Sequence, residues 1–266
     1  MKPPPAQLDA AVPAARPRPL HEGPVSAGGR NGRARVPTLG GRRVDPDELS
    51  AEVERLDARE AIAWALERFG PRLMFATSFQ KTSSVIIHMA HELDPGARFF
   101  YLDTELLFPE TYATRDALAE RFGIEFERYA GISLAEQEQR HGANLWRRDP
   151  EACCGIRKVE AMRVALQGAE CWVSGIRRSD SETRASARKF GWDVRFGLWK
   201  LNPLVDWDDK RIWTYIKEHH VPYNPLHDQG YPSIGCMPCT TRPINGADAR
   251  SGRWAGTART ECGLNG

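Results

Sequence analysis

Short apolar runs alternate with helical segments from about residue 70 onward, and this alternation constrains the fold more than any other feature of the chain. Residues 73–76 and 99–102 are apolar runs of strand length, residues 124–126 begin a third run, and residues 171–174 form a fourth. Segments with helical spacing lie between them, the last predicted over residues 155–167. Strands that alternate with helices of about 10–15 residues form a parallel sheet with helices on both faces. The sequence therefore predicts an α/β fold with a doubly wound, mostly parallel sheet.

Two polar turns indicate where such a fold would bind a ligand. Residues 77–82 and 103–105 follow the first two predicted strands. Open α/β sheets bind ligands beyond the carboxyl ends of their strands, so these turns are candidate binding loops. An arginine-rich loop follows the fourth run, and proline, glycine and asparagine dominate from Val221 onward. The C-terminal segment is therefore predicted to be mostly loop.

The charge is unevenly divided between the N-terminus and the rest of the chain. Residues 1–43 hold eight basic and two acidic residues together with eight of the 19 prolines, whereas residues 44–266 carry a net charge of −4. Such a basic, proline-rich segment predicts a disordered tail, with order beginning where Asp45 caps a helix that has Pro46 at its first position. A transit peptide and a nucleic-acid-binding arm are alternative interpretations of this segment, and no sequence motif supports either of them. No apolar run approaches the roughly 18 residues of a membrane span. We expect a cytoplasmic protein with no membrane or nucleic-acid partner.

Four of the six cysteines form a CC…CxxC pattern that is typical of a metal site. Cys153 and Cys154 are adjacent, and Cys236 and Cys239 follow 82 residues later. Adjacent cysteines reach a single ion with difficulty but can bind different irons of a [4Fe–4S] cluster, which is therefore the first choice. A structural zinc site remains the alternative. A thioredoxin-like dithiol at the second pair is disfavoured, because that motif opens a helix and here prolines bracket a loop.

The remaining two cysteines differ in their surroundings. Cys171 lies in an apolar run and is interpreted as a small buried residue without a chemical role. Cys262 lies near the C-terminus with Arg259 close before it and Gly263 after it. Because the thiolate is the reactive form and cations favour it, Cys262 is a candidate nucleophile.

Eight short segments of the chain together match the pattern of one known family. In chain order they are 102–104 (Leu102-Asp103-Thr104), 109–112, 153–158 (Cys153-Cys154-Gly155-Ile156-Arg157-Lys158), 175–178 (Gly175-Ile176-Arg177-Arg178), 221–227, 230–239, 250–254 (Arg250-Ser251-Gly252-Arg253-Trp254) and 261–264 (Glu261-Cys262-Gly263-Leu264). With these segments the chain resembles, over about residues 70–266, the adenylyl-sulfate (APS) reductases, the iron–sulfur branch of the sulfonucleotide reductase family. Asn265 departs from the family pattern, which usually has histidine there.

The resemblance implies an adenine-nucleotide α-hydrolase-like fold and reduction of APS to sulfite and AMP, with electrons from thioredoxin or a similar thiol donor. It implies that Cys262 is the nucleophile that forms an S-sulfocysteine, on a mobile catalytic tail from about residue 243, and that Cys153, Cys154, Cys236 and Cys239 hold the [4Fe–4S] cluster. The implied substrate-binding residues are Ser78, Asp103, Thr104, Lys158, Gly175, Arg184, Arg250 and Arg253.

Three alternatives to APS reduction differ in class. The first is a 3′-phosphoadenylyl-sulfate (PAPS) reductase, a class of enzyme that resembles this chain in fold but generally lacks the two cysteine pairs; an enzyme that accepts both APS and PAPS is a variant of this alternative. A tRNA sulfur-insertion enzyme is disfavoured because residues 78–83 lack the glycines and aspartate of its ATP loop. A zinc-stabilised nucleotide- or RNA-binding module is the non-enzymatic alternative. The sequence leaves the thiol donor and a homo-oligomeric state open.

Overall fold

A six-stranded sheet organises the computed structural model, which describes residues 37–243, 250–254, 259 and 261–264. Two short strands that form a separate hairpin come first in the chain, β1 (Thr38–Leu39) and β2 (Arg42–Arg43). The strands of the six-stranded sheet are β3 (Leu73–Thr77), β4 (Phe99–Asp103), β5 (Glu127–Ala130), β6 (Cys171–Val173), β7 (Phe190–Asp193) and β8 (Leu198–Leu201). The sheet has the order β5-β4-β3-β6-β8-β7. All neighbours in it are parallel except β7 and β8. The predicted mostly parallel sheet is confirmed.

Helices cover both faces of this sheet. They are α1 (Pro46–Glu54), α2 (Ala58–Phe69), α3 (Lys81–Leu93), α4 (Pro109–Phe122), α5 (Leu134–His141), α6 (Leu145–Arg148), α7 (Pro150–Cys154), α8 (Glu160–Ala165) and α9 (Asp209–Glu218). On one face, Phe75 packs in a cluster with Ile62 of α2 and Ile86 of α3. On the other face, Met74 packs in a cluster with Met162 of α8. Successive residues of β3 therefore enter opposite cores, as a doubly wound fold requires.

The N-terminal boundary of order lies earlier than predicted. Residues 38–43 form the antiparallel β1–β2 hairpin, and the indole N–H of Trp199 donates to the carbonyl of Thr38 at 2.8 Å. The predicted disorder is therefore wrong for residues 37–43, because this segment finds backbone partners within itself and on the sheet. Residues 1–36 lie outside the described residues. Asp45 caps α1 as predicted, with its carboxylate accepting from the backbone N–H of Asp47.

Two other predicted bounds shift. The third strand, predicted from residue 124, starts at Glu127, so residues 124–126 precede it. The helix predicted over residues 155–167 begins earlier, at Pro150, because the Asp149 carboxylate caps it by accepting from the Ala152 N–H. The backbone widens into a π turn over Gly155–Val159 before α8. Cys153 and Cys154 therefore stand at the end of α7, directly before this wide turn.

The segment after Val221 is loop-rich, as predicted. Between residues 221 and 243 its only helical elements are the single turns Pro225–His227 and Met237–Cys239. Much of the predicted mobile tail, including Asn265, lies outside the described residues, so its mobility stays a prediction. Within the described part of the chain, no helix combines the length and apolar character needed to cross a bilayer.

Candidate functional site

A cavity of about 450 Å³ lies at the carboxyl ends of the central strands. Its walls come from the turns after β3, β4 and β6, from residues 232–236 and from the C-terminal tail. Seven of the eight predicted substrate-binding residues line this cavity together with the predicted nucleophile and one predicted metal ligand: Ser78, Thr104, Lys158, Gly175, Arg184, Arg250, Arg253, Cys262 and Cys236. The structure thus gathers residues up to 184 positions apart around one space, where α/β sheets bind ligands.

Asp103 is the one predicted substrate-binding residue that does not line the cavity. Its carboxylate accepts hydrogen bonds from Tyr112 at 2.7 Å and from Arg128 at 2.6 Å, and from the backbone N–H of Glu105. These contacts tie the end of β4 to α4 and β5. The structure therefore gives Asp103 a contact within the protein, and its contact with substrate stays a prediction.

The floor of the cavity is shaped by a close approach at Gly175. A Cβ atom at this position would lie 2.9 Å from Oγ1 of Thr82, which is closer than ordinary packing permits. Nearby, the hydroxyl of Ser78, in the turn after β3, lies 3.0 Å from the hydroxyl of Ser83, in the first turn of α3. The absence of a side chain at Gly175 keeps this end of the cavity open beside the two serines.

Cys262 lines the same cavity, in a cationic environment. Burial alone would raise the pKa of its thiol, but Lys158, a hydrogen bond from the backbone of Leu264, and Arg253 outweigh burial. The net effect lowers the pKa of Cys262 below its ordinary value. A thiol with a lowered pKa is present to a greater extent as the nucleophilic thiolate near neutral pH.

A second, small cavity contains all four predicted metal ligands. Cys153, Cys154, Cys236 and Cys239 line it together with Trp146 and Trp254 and two cationic residues, Arg157 and Lys158. Further contacts hold two of the thiols: the Thr104 hydroxyl lies 3.2 Å from Sγ of Cys236, and the Gln137 amide donates to Cys153. Lys158 and Cys236 line both cavities, so the two sites share a wall.

The chemistry of these thiols fits a metal cofactor of some size. Burial, followed by the charge of neighbouring thiolates, raises the pKa of Cys153 and of Cys239 to about 11 each. Four neighbouring thiolates, three of them on buried cysteines, therefore need added positive charge, which a metal group supplies. Among the residues that the structure describes, no three His, Cys, Asp or Glu side chains are gathered closely enough to hold a single ion. Four cysteines that line one small cavity are a donor set suited to a metal group.

A family model and curated relatives both match most of this chain, and their names agree with one another. The family model for the phosphoadenosine phosphosulfate (PAPS) reductase domain matches residues 72–242. The chain belongs to this family. It is 45% identical to adenosine 5′-phosphosulfate reductase of Salinibacter ruber over 82% of this chain and 87% of that one, and 42% identical to the Rhodococcus opacus protein of the same name over 81% and 91%.

Solved structures of other proteins share the fold of this member of the PAPS reductase family. A phosphoadenylyl-sulfate reductase from Candida auris, in a phosphate complex, superposes with a TM-score of 0.67 at 29% identity, covering 77% of this chain and all of that one. An FMN adenylyltransferase from Candida glabrata, at 13% identity and a TM-score of 0.51 over 75% of this chain and 76% of that one, shares the fold alone. The adenine-nucleotide α-hydrolase-like architecture predicted from the sequence is confirmed.

Several charged residues at the cavity were not among the predicted site residues. Lys81, Arg177, Asp180 and Asp209 line the cavity, and Glu261 contacts two arginines that do. Their partners are up to 128 residues distant, so no local spacing reveals them. The one available signal was position: Glu261 directly precedes the predicted nucleophile.

Proposed function

We propose that this protein reduces APS to sulfite and AMP in sulfate assimilation. The observation that carries the proposal is the placement of Cys262: a thiol with a lowered pKa faces a cavity at the nucleotide-binding end of the sheet, among Lys158, Arg250 and Arg253. APS is a small dianionic nucleotide, and a cavity of about 450 Å³ with converging cations suits it. The names of the bacterial relatives support the same substrate.

The proposed reaction begins when the Cys262 thiolate attacks the sulfur atom of the substrate. A bond forms between Sγ and that sulfur, the sulfur–oxygen bond to the phosphate breaks, and AMP leaves with the electron pair. The product on the enzyme is S-sulfocysteine. Because a thiolate approaches an anionic group, cations that face the developing charge lower the barrier. Lys158 and Arg253, which already stabilise the thiolate, are placed to do this.

The second half of the reaction needs an external dithiol. A donor thiolate attacks Sγ of Cys262, and sulfite leaves with the electron pair of the sulfur–sulfur bond. The donor's second thiol then attacks the mixed disulfide, which restores the Cys262 thiolate and leaves the donor oxidised. None of the other cysteines adjoins Cys262 in the sequence, which favours a thioredoxin-type donor. The proposed location is the cytoplasm, where such donors are kept reduced.

The cofactor in this proposal is a [4Fe–4S] cluster held by Cys153, Cys154, Cys236 and Cys239. When bound, the cluster supplies charge and order to the wall that the two cavities share. Lys158, which lines both cavities, would carry that electrostatic influence to the substrate side. We expect anaerobically purified wild-type protein to be brown and to contain about four irons per chain, whereas one zinc and no iron would reject the cluster.

The experiment that tests the activity uses reduced thioredoxin and separate supplies of APS and PAPS. We expect the wild type to release sulfite from APS and the Cys262→Ser variant to release none while still binding the nucleotide. Cys171→Ser is the matched control, because that thiol is fully buried in the core. No sulfite from either nucleotide would reject the enzyme assignment, and an active Cys262→Ser variant would reject the mechanism.

PAPS reduction, alone or together with APS reduction, is the second candidate, because the Candida auris relative is a phosphoadenylyl-sulfate reductase. The same experiment decides it. Sulfite released from PAPS at a rate comparable to that from APS would establish dual specificity.

A further inference from the structure

Seven charged side chains of alternating sign form a continuous series at the large cavity, and all of them except Glu261 line it. Each is in contact with the next through an ion pair of 3.2 Å or less. In spatial order they are Lys81, Asp209, Arg177, Asp180, Arg184, Glu261 and Arg250. The series begins at the first residue of α3 and ends in the C-terminal tail. It therefore links the turn after β3 to the segment that carries Cys262.

The tail end of this series is a buried carboxylate between two arginines. Glu261 accepts from Nε and Nη2 of Arg184 at 2.7 and 2.9 Å and from Nη2 of Arg250 at 3.2 Å. The exposed fractions of the three side chains are only 12%, 9% and 12% respectively. A bidentate, charge-assisted contact of this kind is among the stronger polar interactions in a protein.

The two arginines need an anion between them. Burial, followed by the nearby charge of Arg184, lowers the pKa of Arg250 to about 10. Two guanidinium groups that are close and partly desolvated repel each other unless a negative group lies between them. In the structure that negative group is Glu261, yet both arginines also line the cavity that would receive an anionic ligand.

We propose that Glu261 is an internal anion that occupies Arg184 and Arg250 before substrate arrives, and that the sulfonate of the substrate competes with it. The inference deepens the proposed function and rests on it for the identity of the substrate. Glu261 directly precedes Cys262, so the same competition determines how firmly the nucleophile-bearing segment is held in the cavity. The tail keeps other anchors when Glu261 is displaced, since Arg195 donates to the carbonyl of Gly263 and Leu264 packs against the Trp172 cluster.

The test measures binding in the full-length Cys262→Ser background, in which substrate is not turned over. We expect Glu261→Gln to bind APS at least about 5-fold more tightly than the parent at low, constant ionic strength, because its competing charge is gone. Adenosine, which has no anionic group, is expected to bind both proteins equally. Glu261→Asp, which keeps the charge on a shorter side chain, is expected to bind APS between the two. Glu182→Gln is the matched control, since it removes an exposed carboxylate from the loop that carries Arg184.

Each outcome decides between competition and a structural role. Unchanged or weaker APS binding by Glu261→Gln would overturn the inference, and equal weakening of APS and adenosine would assign Glu261 to holding the fold. Inorganic sulfate separates the inference from the proposed function, because it probes the arginines without the nucleotide. Tighter sulfate binding by Glu261→Gln in a protein that does not bind APS would keep the inference and reject the proposed function.

Discussion

At the scale of single residues, Gly175 is the position where one added methyl group should change substrate binding most directly. Its Cβ would meet Oγ1 of Thr82 at 2.9 Å and Cβ of Thr82 at 3.3 Å. We expect Gly175→Ala to raise KM for APS about 10-fold, which corresponds to about 1.4 kcal/mol, because the turn must shift into the cavity. Steady-state kinetics of sulfite release measure this.

The partner of the clash provides the control for Gly175. Thr82→Ala removes the hydroxyl that the new Cβ would meet. Adding Gly175→Ala to the Thr82→Ala variant is therefore expected to raise KM for APS less than adding Gly175→Ala to the wild type. Gly191→Ala, whose Cβ would meet Arg188 at an ordinary 3.7 Å, is expected to leave KM unchanged. A double variant as impaired as the sum of both single variants would contradict the steric explanation.

Of the site residues, the cysteines were the ones that the sequence could reveal, because few other residue types bind metals or act as nucleophiles. Four cysteines in two pairs and a fifth near the C-terminus indicated a cofactor site and a nucleophile, and all five thiols line the two adjoining cavities. Common charged residues carried no such signal. The ion pair between Lys81 and Asp209 joins the starts of two helices 128 residues apart, and only the packing of α3 against α9 brings them together.

At the scale of elements, the carboxylate of Asp103 joins β4 to β5 and α4. Burial alone would raise its pKa, but hydrogen bonds from Tyr112, Arg128 and the backbone of Glu105 lower it below the ordinary value. A carboxylate with a lowered folded-state pKa contributes stability above its unfolded pKa of about 3.9 and loses that stability as the pH falls through the folded value. We expect Asp103→Asn to lower the free energy of unfolding by about 1–3 kcal/mol at pH 7.

The pH dependence distinguishes this contribution from a simple packing defect. The difference between wild type and Asp103→Asn should stay constant from pH 7 to about 5 and shrink below about pH 4, as the wild-type carboxylate becomes protonated. Urea denaturation at a series of pH values measures it. Glu67→Gln, at an exposed position on α2, is the control without such a difference. A gap between wild type and Asp103→Asn that persists undiminished at pH 3 would argue against the ionic contribution.

The π turn that follows Cys154 depends on a second glycine contact between elements. A Cβ at Gly131, just after β5, would lie 2.6 Å from the carbonyl oxygen of Ile156 in that turn. We expect Gly131→Ala to lower the free energy of unfolding by about 1–3 kcal/mol, since backbone must move on both sides. Gly155→Ala adds a Cβ to the same turn where nothing lies within 4 Å, and a helical alanine there should be neutral or stabilising. Equal effects of the two variants in thermal denaturation would contradict this account.

At the scale of the whole molecule, local signals predicted the sheet class but not the edges of the fold. Strands β3, β4 and β6 follow from short apolar runs, and the start of α1 follows from the cap at Asp45. The local sequence was therefore enough to predict them. Strands β7 and β8 mix aromatic, glycine and lysine residues, and their antiparallel pairing at the sheet edge depends on contacts with distant α1. The β1–β2 hairpin was missed because its composition resembles that of the tail before it, and its contact with Trp199 joins residues 161 positions apart.

Lys189 shows how strongly one buried charge ties the first helices to this edge. Its side chain is 1% exposed, and its ammonium donates to the carbonyls of Leu56 at 2.7 Å and Glu54 at 3.3 Å and to the carboxylate of Asp206 at 3.1 Å. Lys189→Met keeps the apolar stem but leaves both carbonyls without this donor, so we expect a loss of about 2–4 kcal/mol of unfolding free energy. Urea denaturation followed by circular dichroism measures it, with Lys210→Met at an exposed position as the control. A Lys189→Met variant as stable as wild type would show that packing of the α1–α2 junction, rather than this buried ammonium, holds the N-terminal helices on the sheet.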